Sequence, residues 1–417
     1  MKCKLSYVSE IISGATPSTT HDEYYDGDVV WFTPKDLSDQ NTKYVERGSR
    51  NITAEGFRSC SARMIPPYNL LMSSRAPIGL LSINEVECCT NQGFKSMVVD
   101  KTKADVDYLY YYIKHHLPEV EALGSGTTFK EVSRASLEKW EIDIPDLHTQ
   151  KEISSILSFL DRKISLNRKA NEVLEKMAKQ LYDYWFVQFD FPDENGKPYK
   201  SSGGKMVYNE TLKREIPEGW KVINLSETLE ILKDGTHNPP KRLEQGVSLL
   251  TGYMFGDNFL DYTKATYISE KEYQSIHSTY KPQEGDIVIT KIGTVGKVNI
   301  LTGQDIPLAI HCNSALLRYK RPYNGLYAYW YTKSDLFKMR LFSKIGHSIQ
   351  QFVNLENIGS ILFEAPNENI VSKFNITMKP MYDKMVSIRN ENLRLTSLRD
   401  FLLPMLMNGQ VTIKNND

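Results

Sequence analysis

The sequence has no surplus of charge of either sign: 51 Lys and Arg balance 51 Asp and Glu among 417 residues. That balance argues against a protein that coats nucleic acid non-specifically, although a total hides how the charge is distributed. No apolar run approaches the ~18–20 residues of a membrane span, and Met1 to Gly14 lacks the apolar core of a secretory signal. Cysteine is scarce. Cys3, Cys60, Cys88, Cys89 and Cys312 form no C-x-x-C pair, and an odd count in a chain without an export signal predicts reduced thiols in the cytoplasm.

Catalytic signatures are missing too. Gly124-Ser125-Gly126-Thr127-Thr128 lacks the Gly-Lys-Ser/Thr ending of a phosphate-binding loop, and Gly293-Thr294-Val295-Gly296-Lys297 fails the same spacing. Asn238-Pro239-Pro240 matches three positions of an amino-methylation tetrapeptide, but Lys241 stands where an aromatic ring must stack on the target base. Pro145-Asp146 with Asp161-Arg162-Lys163 superficially fits a metal-dependent nuclease, yet the last three fall on a heptad helix where solvated charges are expected. His115-His116 and Cys88-Cys89 are adjacent pairs whose side chains diverge, so neither chelates one metal alone. The chain reads as non-catalytic, with no metal site and no cofactor site.

What is present is globular composition, 41% hydrophobic and 24% charged, which excludes wholesale disorder. At about 100–200 residues per domain the length predicts two to four domains. The chain also repeats itself. Ser13-Gly14 meets Asp234-Gly235 at a shift of 221, and Val29–Thr33 meets Val247–Thr251 at 218. Leu70-Leu71-Met72-Ser73 with Ile78-Gly79 meets Ile287-Val288-Ile289-Thr290 with Val295-Gly296 at 217, and Leu109-Tyr110 meets Leu326-Tyr327 at the same shift. Leu137, Ile142, Pro145 and Asp146 then meet Ile358, Phe363, Pro366 and Asn367 at 221. A nearly constant order over so long a stretch marks a duplicated unit. The turn Ala76-Pro77-Ile78-Gly79 and its partner Gly293–Gly296 are predicted to join two strands.

Each copy ends in a heptad pattern. Thr149-Gln150-Lys151-Glu152 reads as a capping box. Ile153, Leu157, Leu160, Ile164, Asn167, Asn171, Leu174, Ala178, Leu181 and Trp185 follow at alternating steps of three and four. The second copy supplies Phe374, Met378, Met381, Met385, Ile388, Asn392, Leu395 and Leu402. This spacing is the coiled-coil stripe, and Asn171 and Asn392, equivalent seam positions, specify a pairing at some cost in stability. A helix of ~40 residues is ~60 Å long, more than one small domain can cover.

The predicted fold class is therefore α/β (α+β). Two similar domains, 1–147 and 220–367, stand in a pseudo-two-fold arrangement, separated by two long helices, 148–189 and 368–417, that form an antiparallel coiled coil. Residues 190–219, rich in Pro, Gly and Ser, form a linker or hairpin. No segment is a basic tail, so any nucleic-acid surface has to be built by folding. Symmetric DNA readers place half-sites roughly 34–36 Å apart. Two diverged domains on such helices would read an asymmetric bipartite target across an unread spacer.

Over essentially the whole chain the sequence resembles the specificity subunits of type I restriction–modification systems. The most specific stretch runs Gln150-Lys151-Glu152-Ile153, Ile156-Leu157, Leu160-Asp161, Lys163-Ile164, Asn167, Asn171, Leu174, Ala178, Leu181, Trp185-Phe186-Val187 and Phe189-Asp190, similar to the family's central conserved helix. Ile216-Pro217-Glu218-Gly219-Trp220 resembles the opening of a target-recognition domain, and Arg399, Leu402-Leu403-Pro404, Leu406-Met407 and Gly409 resemble the family's C-terminal end. The first copy lacks the Pro-Glu-Gly-Trp opening, which leaves a late-starting first domain or a misassigned start codon. The resemblance implies a DNA-reading subunit of a cytoplasmic complex, with two recognition domains, a helical ruler, and two docked methyltransferase subunits. A motor–nuclease subunit would join through the complex. S-adenosylmethionine, ATP and Mg would sit on those partners and none in this chain. The alternatives are a protein-bridging scaffold and a specificity subunit of a methylation-only system.

Candidate DNA contacts are the repeated turn, with Arg75 and Lys291, and the equivalent stretches Thr127, Thr128, Lys130 and His347, Ser348, Gln350, Gln351, which are rich in donors and acceptors. Gln350 or Gln351 carries an amide of the type that reads adenine bidentately; the competing role is strand capping. Lys338, Arg340 and Lys344 form a candidate phosphate-facing patch or, alternatively, a solvated helix face. Tyr108, Tyr110, Tyr111 and Tyr112 are expected to pack rather than stack on bases.

Overall fold

The structure is a computed structural model that describes residues 1–126, 130–238, 240–345 and 352–411. It divides into two compact units, 1–169 with 388–417 and 170–387. Each unit therefore draws on both long helices, Leu147–Tyr182 and Glu368–Met407.

In the first unit a five-stranded sheet has the order Ser9–Ser13, Lys95–Val99, Leu70–Ser74, Ile78–Asn84, Tyr44–Val45. In the second, a four-stranded sheet has the order Leu229–Asp234, Ser314–Tyr319, Ile287–Thr290, Val298–Ile300. The first four strands of one sheet are thus the sequence equivalents of the four strands of the other. The smaller pairings repeat as well. Lys2–Lys4 runs antiparallel to Glu141–Asp143, as Lys221–Asn224 does to Leu362–Ala365. Trp31–Phe32 runs parallel to Cys89–Thr90, as Val247–Leu250 does to Leu308–Ile310. The helix Val106–His115 corresponds to Leu326–Lys333. Tyr108, Tyr110, Tyr111 and Tyr112 are all buried, as is Tyr327, so this helix packs its aromatic rings inside.

The long helices pair through the expected seam. Ile153, Leu157, Leu160, Ile164 and Asn167 are buried, as are Phe374, Met378, Met385 and Ile388. Asn171, Leu174, Leu181, Met381, Asn392, Leu395 and Leu402 are half-buried. Within the first unit Asn167 donates to Asn392 Oδ1 at 2.9 Å and to Glu391 at 2.8 Å, while Asp161 meets Arg399. Rising numbers on one helix face falling numbers on the other, so the two segments run antiparallel. Within the second unit Tyr182 and Trp185 both meet Phe374.

Two expectations about this helix are corrected. Its N-terminal cap is Asp146, not a Thr149 capping box. Asp146 accepts from the backbone of His148 and Thr149 at 3.0 and 3.1 Å and from the Thr149 hydroxyl at 2.8 Å, bonds that hold its carboxyl below the usual range. Asp161, expected to be solvated, has a side chain only 10% exposed. The linker folds as a hairpin, Met206–Asn209 with Arg214–Pro217, and Trp220 beyond it stacks on Phe191.

Candidate nucleic-acid interface

At one end of each sheet the same four segments converge, held by the same backbone bonds. The loop after the first strand is tied down by Ala15 N–H to Thr90 O at 2.9 Å and, in the second unit, by Thr236 N–H to Ile310 O at 3.1 Å. The glycine before each bond permits this approach. A Cβ on Gly14 would stand 2.0 Å from Asn91 O, and one on Gly235 1.8 Å from Ile310 O. The hairpin turn is stapled by a hydroxyl. Ser73 Oγ donates to Pro77 O at 2.6 Å and accepts from Leu80 N–H at 2.8 Å; Thr290 does the same with Thr294 O and Lys297 N–H. Gly79 and Gly296 close these turns at φ +88° and +86°, where a side chain is disfavoured. The turn residue Ser74 is gripped from both sides, donating to Gly93 O and accepting from Val132 N–H; Lys291 does so with Asn313 O and Val353 N–H.

This frame relocates several expected contacts. The repeated hydroxyls are spent inside the turn and are not free donors. Arg75 remains 40% exposed at its side chain, 3.6 Å from Glu131, which also meets Lys95 at 3.1 Å. Lys291 is corrected: its side chain is 4% exposed, and its ammonium is held 2.9 Å from Asp234, a partner the local sequence does not reveal. Burial pushes the Asp234 carboxyl up, but the bond and charge of Lys291 together with the neighbouring His237 outweigh it and hold the group below its ordinary value. Arg340 is corrected as well. Its guanidinium makes two 2.6 Å bonds to the buried Glu364 and one to Leu362 O, so it is a structural tie and not part of a phosphate patch. Lys338 is half-buried and lines a small cleft with Lys179, Lys333 and Asp335. Lys344 and Lys130 are exposed. Thr127, Thr128, His347, Ser348, Gln350 and Gln351 lie outside the described residues.

The convergence also brings forward residues the sequence reading passed over. Gln92 is exposed beside Thr16, to which it is hydrogen-bonded, in the first unit. In the second, His237 stands 3.1 Å from Asp234 with a side chain 71% exposed. His311 is partly buried, and burial is the main cause that lowers its pKa. The signal for these positions was available: they follow the repeated glycines Gly14 and Gly235 and precede the last sheet strand in both copies. Their side chains differ between copies while the frame beneath them does not.

Among the described residues no group of three or more His, Cys, Asp or Glu is placed to hold a metal. Burial pushes the Cys88 and Cys89 thiols up to about 12, which suits packing rather than reactivity. No helix among the described residues is long and apolar enough to cross a membrane.

Residues 1–176 match the family model described as "Type I restriction modification DNA specificity domain". The chain is 29% identical to the type I restriction enzyme MjaIX specificity subunit of Methanocaldococcus jannaschii, over 99% of this chain and 93% of that protein. It is 25% identical to the type I restriction enzyme HindI specificity subunit of Haemophilus influenzae, over 68% of this chain and 72% of the relative. A solved type I restriction–modification S subunit from M. genitalium shares the fold with a TM-score of 0.56 at 18% identity, covering 97% of this chain and 95% of that one.

Proposed function

We propose that this chain, a member of the family of type I restriction–modification specificity subunits, reads an asymmetric bipartite DNA target with the two loop clusters described above. The observation that carries the reading is one scaffold built twice, with the same backbone bonds and different tips. Identical frames place their loops on a duplex in the same way; different side chains on those loops select different bases. Arg75, Gln92 and Lys130 are the first unit's contacts in this reading, and His237, Arg242 and His311 the second's. The long helices act as the ruler between half-sites. They also offer a place to dock partners. Along the outer face of the central helix Phe159, Leu166, Val173 and Met177 are 69%, 64%, 55% and 50% exposed, at steps of seven, seven and four. A second apolar stripe on a helix whose seam is already filled fits partner helices.

The partners are two methyltransferase subunits and, through the complex, a motor–nuclease subunit. S-adenosylmethionine, ATP and Mg belong on those subunits in this reading. The chain contributes no bond-making step of its own. It supplies position, which turns a general adenine methylase into a site-specific one.

The test is genome-wide adenine methylation in a strain expressing the chain with its methyltransferase. One bipartite motif, lost when the chain is deleted, is the expected result, and exchange of residues 220–366 should change one half of it only. A motif without two halves, or an exchange that alters both, would overturn the reading.

A further inference from the structure

In the first unit, where the recognition domain meets the helix pair, a group of buried charges remains unused by the account so far. Lys43, just before the strand Tyr44–Val45, has a side chain only 4% exposed. Its ammonium donates to Ser158 Oγ at 2.7 Å, lies 2.6 Å from Asp107 Oδ1 and stands 4.1 Å over the ring of Tyr111. One turn along the central helix, Asp161 accepts from the Tyr111 hydroxyl and, at 2.8 Å, from Arg399 Nη1. Lys43 belongs to a sheet loop, Asp107 and Tyr111 to the helix Val106–His115, Ser158 and Asp161 to the central helix, and Arg399 to the C-terminal helix. Four segments are thus joined by side-chain bonds in one buried network. At the shift of 221 Ser158 meets Lys379 and Asp161 meets Tyr382, so the duplicated sequence does not repeat it.

Taking an ammonium and a carboxylate out of water is costly, and apolar side chains of similar size hold elements together as well or better. What apolar contact does not do is choose an angle. It tolerates sliding and rotation, whereas hydrogen bonds weaken steeply as their length and direction change. A network with donors and acceptors on four segments has one arrangement that satisfies all of them. We propose that this network is a positioning device, which sets the angle of the first recognition domain on the helix pair and so makes Lys43 and Asp161 determinants of the spacer length the protein accepts. The proposal rests on the bipartite reading above.

The test uses the full chain in complex with its methyltransferase, on plasmids carrying both half-sites with the native spacer, one base pair fewer and one more. The readout is the ratio of adenine methylation at native and altered spacers. In Lys43→Met and Asp161→Asn complexes this ratio should fall at least tenfold with the half-site sequences unchanged, and Lys43→Arg should recover part of it. Val99→Ala, a cavity in the buried strand Lys95–Val99 at a side chain that takes no part in the network's bonds, weakens the same unit and should leave the ratio alone. A wild-type ratio in both network variants overturns the proposal, and so does an equal fall in Val99→Ala. If Lys43→Met yields no soluble complex, the Asp161→Asn ratio decides by itself. The wild-type arm tests the underlying reading separately: equal methylation at all three spacers would sink the bipartite target, whatever the variants do.

Discussion

The two units share a frame but are fastened to the long helices by different chemistry. In the first, the junction is ionic and directional: Lys43, Asp107, Ser158, Tyr111, Asp161 and Arg399 bond to one another around the buried Lys43 ammonium. In the second it is mainly aromatic, with the ion pair of Lys333 and Glu175 of the central helix beside it. Phe186 lies 5.0 Å from Phe374 and 4.7 Å from Tyr327, Trp185 lies 5.6 Å from Phe374, and Phe363 packs on Tyr331 at 4.7 Å. An aromatic cluster removes a large apolar area from water and is worth most in stability. A buried ionic network contributes less stability and more geometric definition. The difference teaches that a duplicated fold conserves what its backbone needs, such as Gly14 and Gly235, while the attachment of each copy is free to diverge.

That contrast can be broken most severely at its aromatic end. Phe374 is fully buried among four rings, and Phe374→Ala should cost about 3–5 kcal/mol. Hydrogen exchange should show lost protection over Leu326–Lys333 with little change over Val106–His115. Equal loss in both helices would mean that the two junctions are not separate features.

A smaller effect sharpens the contrast through pH. His277 is 1% exposed, its Nε2 accepts from Ile310 N–H at 3.1 Å, and burial lowers its pKa to about 4. An unfolded histidine binds its proton near pH 6.5, so below that value protonation favours the unfolded state. Stability present above about pH 6.5 should be lost as the pH falls toward 4, by about 3 kcal/mol in all. The loss should appear in the second unit and vanish in His277→Phe; a pH profile unchanged by that substitution would refute the assignment.

The smallest expected effect tests the shared frame. Ser73→Ala and Thr290→Val each remove a hydroxyl staple and leave a part-buried N–H without its acceptor, at about 1 kcal/mol. Similar losses in denaturant melts are expected, because the bonds are equivalent. A loss in one copy alone would show that the turns are not the same device.

Much of this molecule could be read before its structure. The duplication, the paired strands around the Gly79 and Gly296 turns, the inward aromatic helix and the heptad seam all follow from local pattern. Period and glycine position are short-range properties, and neighbouring residues carry them. The helix start was misplaced by three residues, because Thr149 with Glu152 imitates a cap that Asp146 provides.

The candidate site was less legible. A lysine on an exposed-looking turn reads as a free cation, yet Lys291 faces Asp234 from a strand 57 positions earlier. Arg340 likewise faces Glu364, 24 positions later. Gln92 in the first unit and His237 and His311 in the second sit in loops that carry no period; the repeated glycines mark those loops, but only the fold of each unit sets the loops at one end of its sheet.

By itself the sequence determined that the chain is a duplicated α/β protein with heptad helices and no catalytic motif, since those properties reside in spacing and residue type. Tertiary structure alone decided which charges are spent inside and which are left at the surface. An ion pair is settled by distance and desolvation between groups far apart in the chain, and neither quantity exists until the chain has folded.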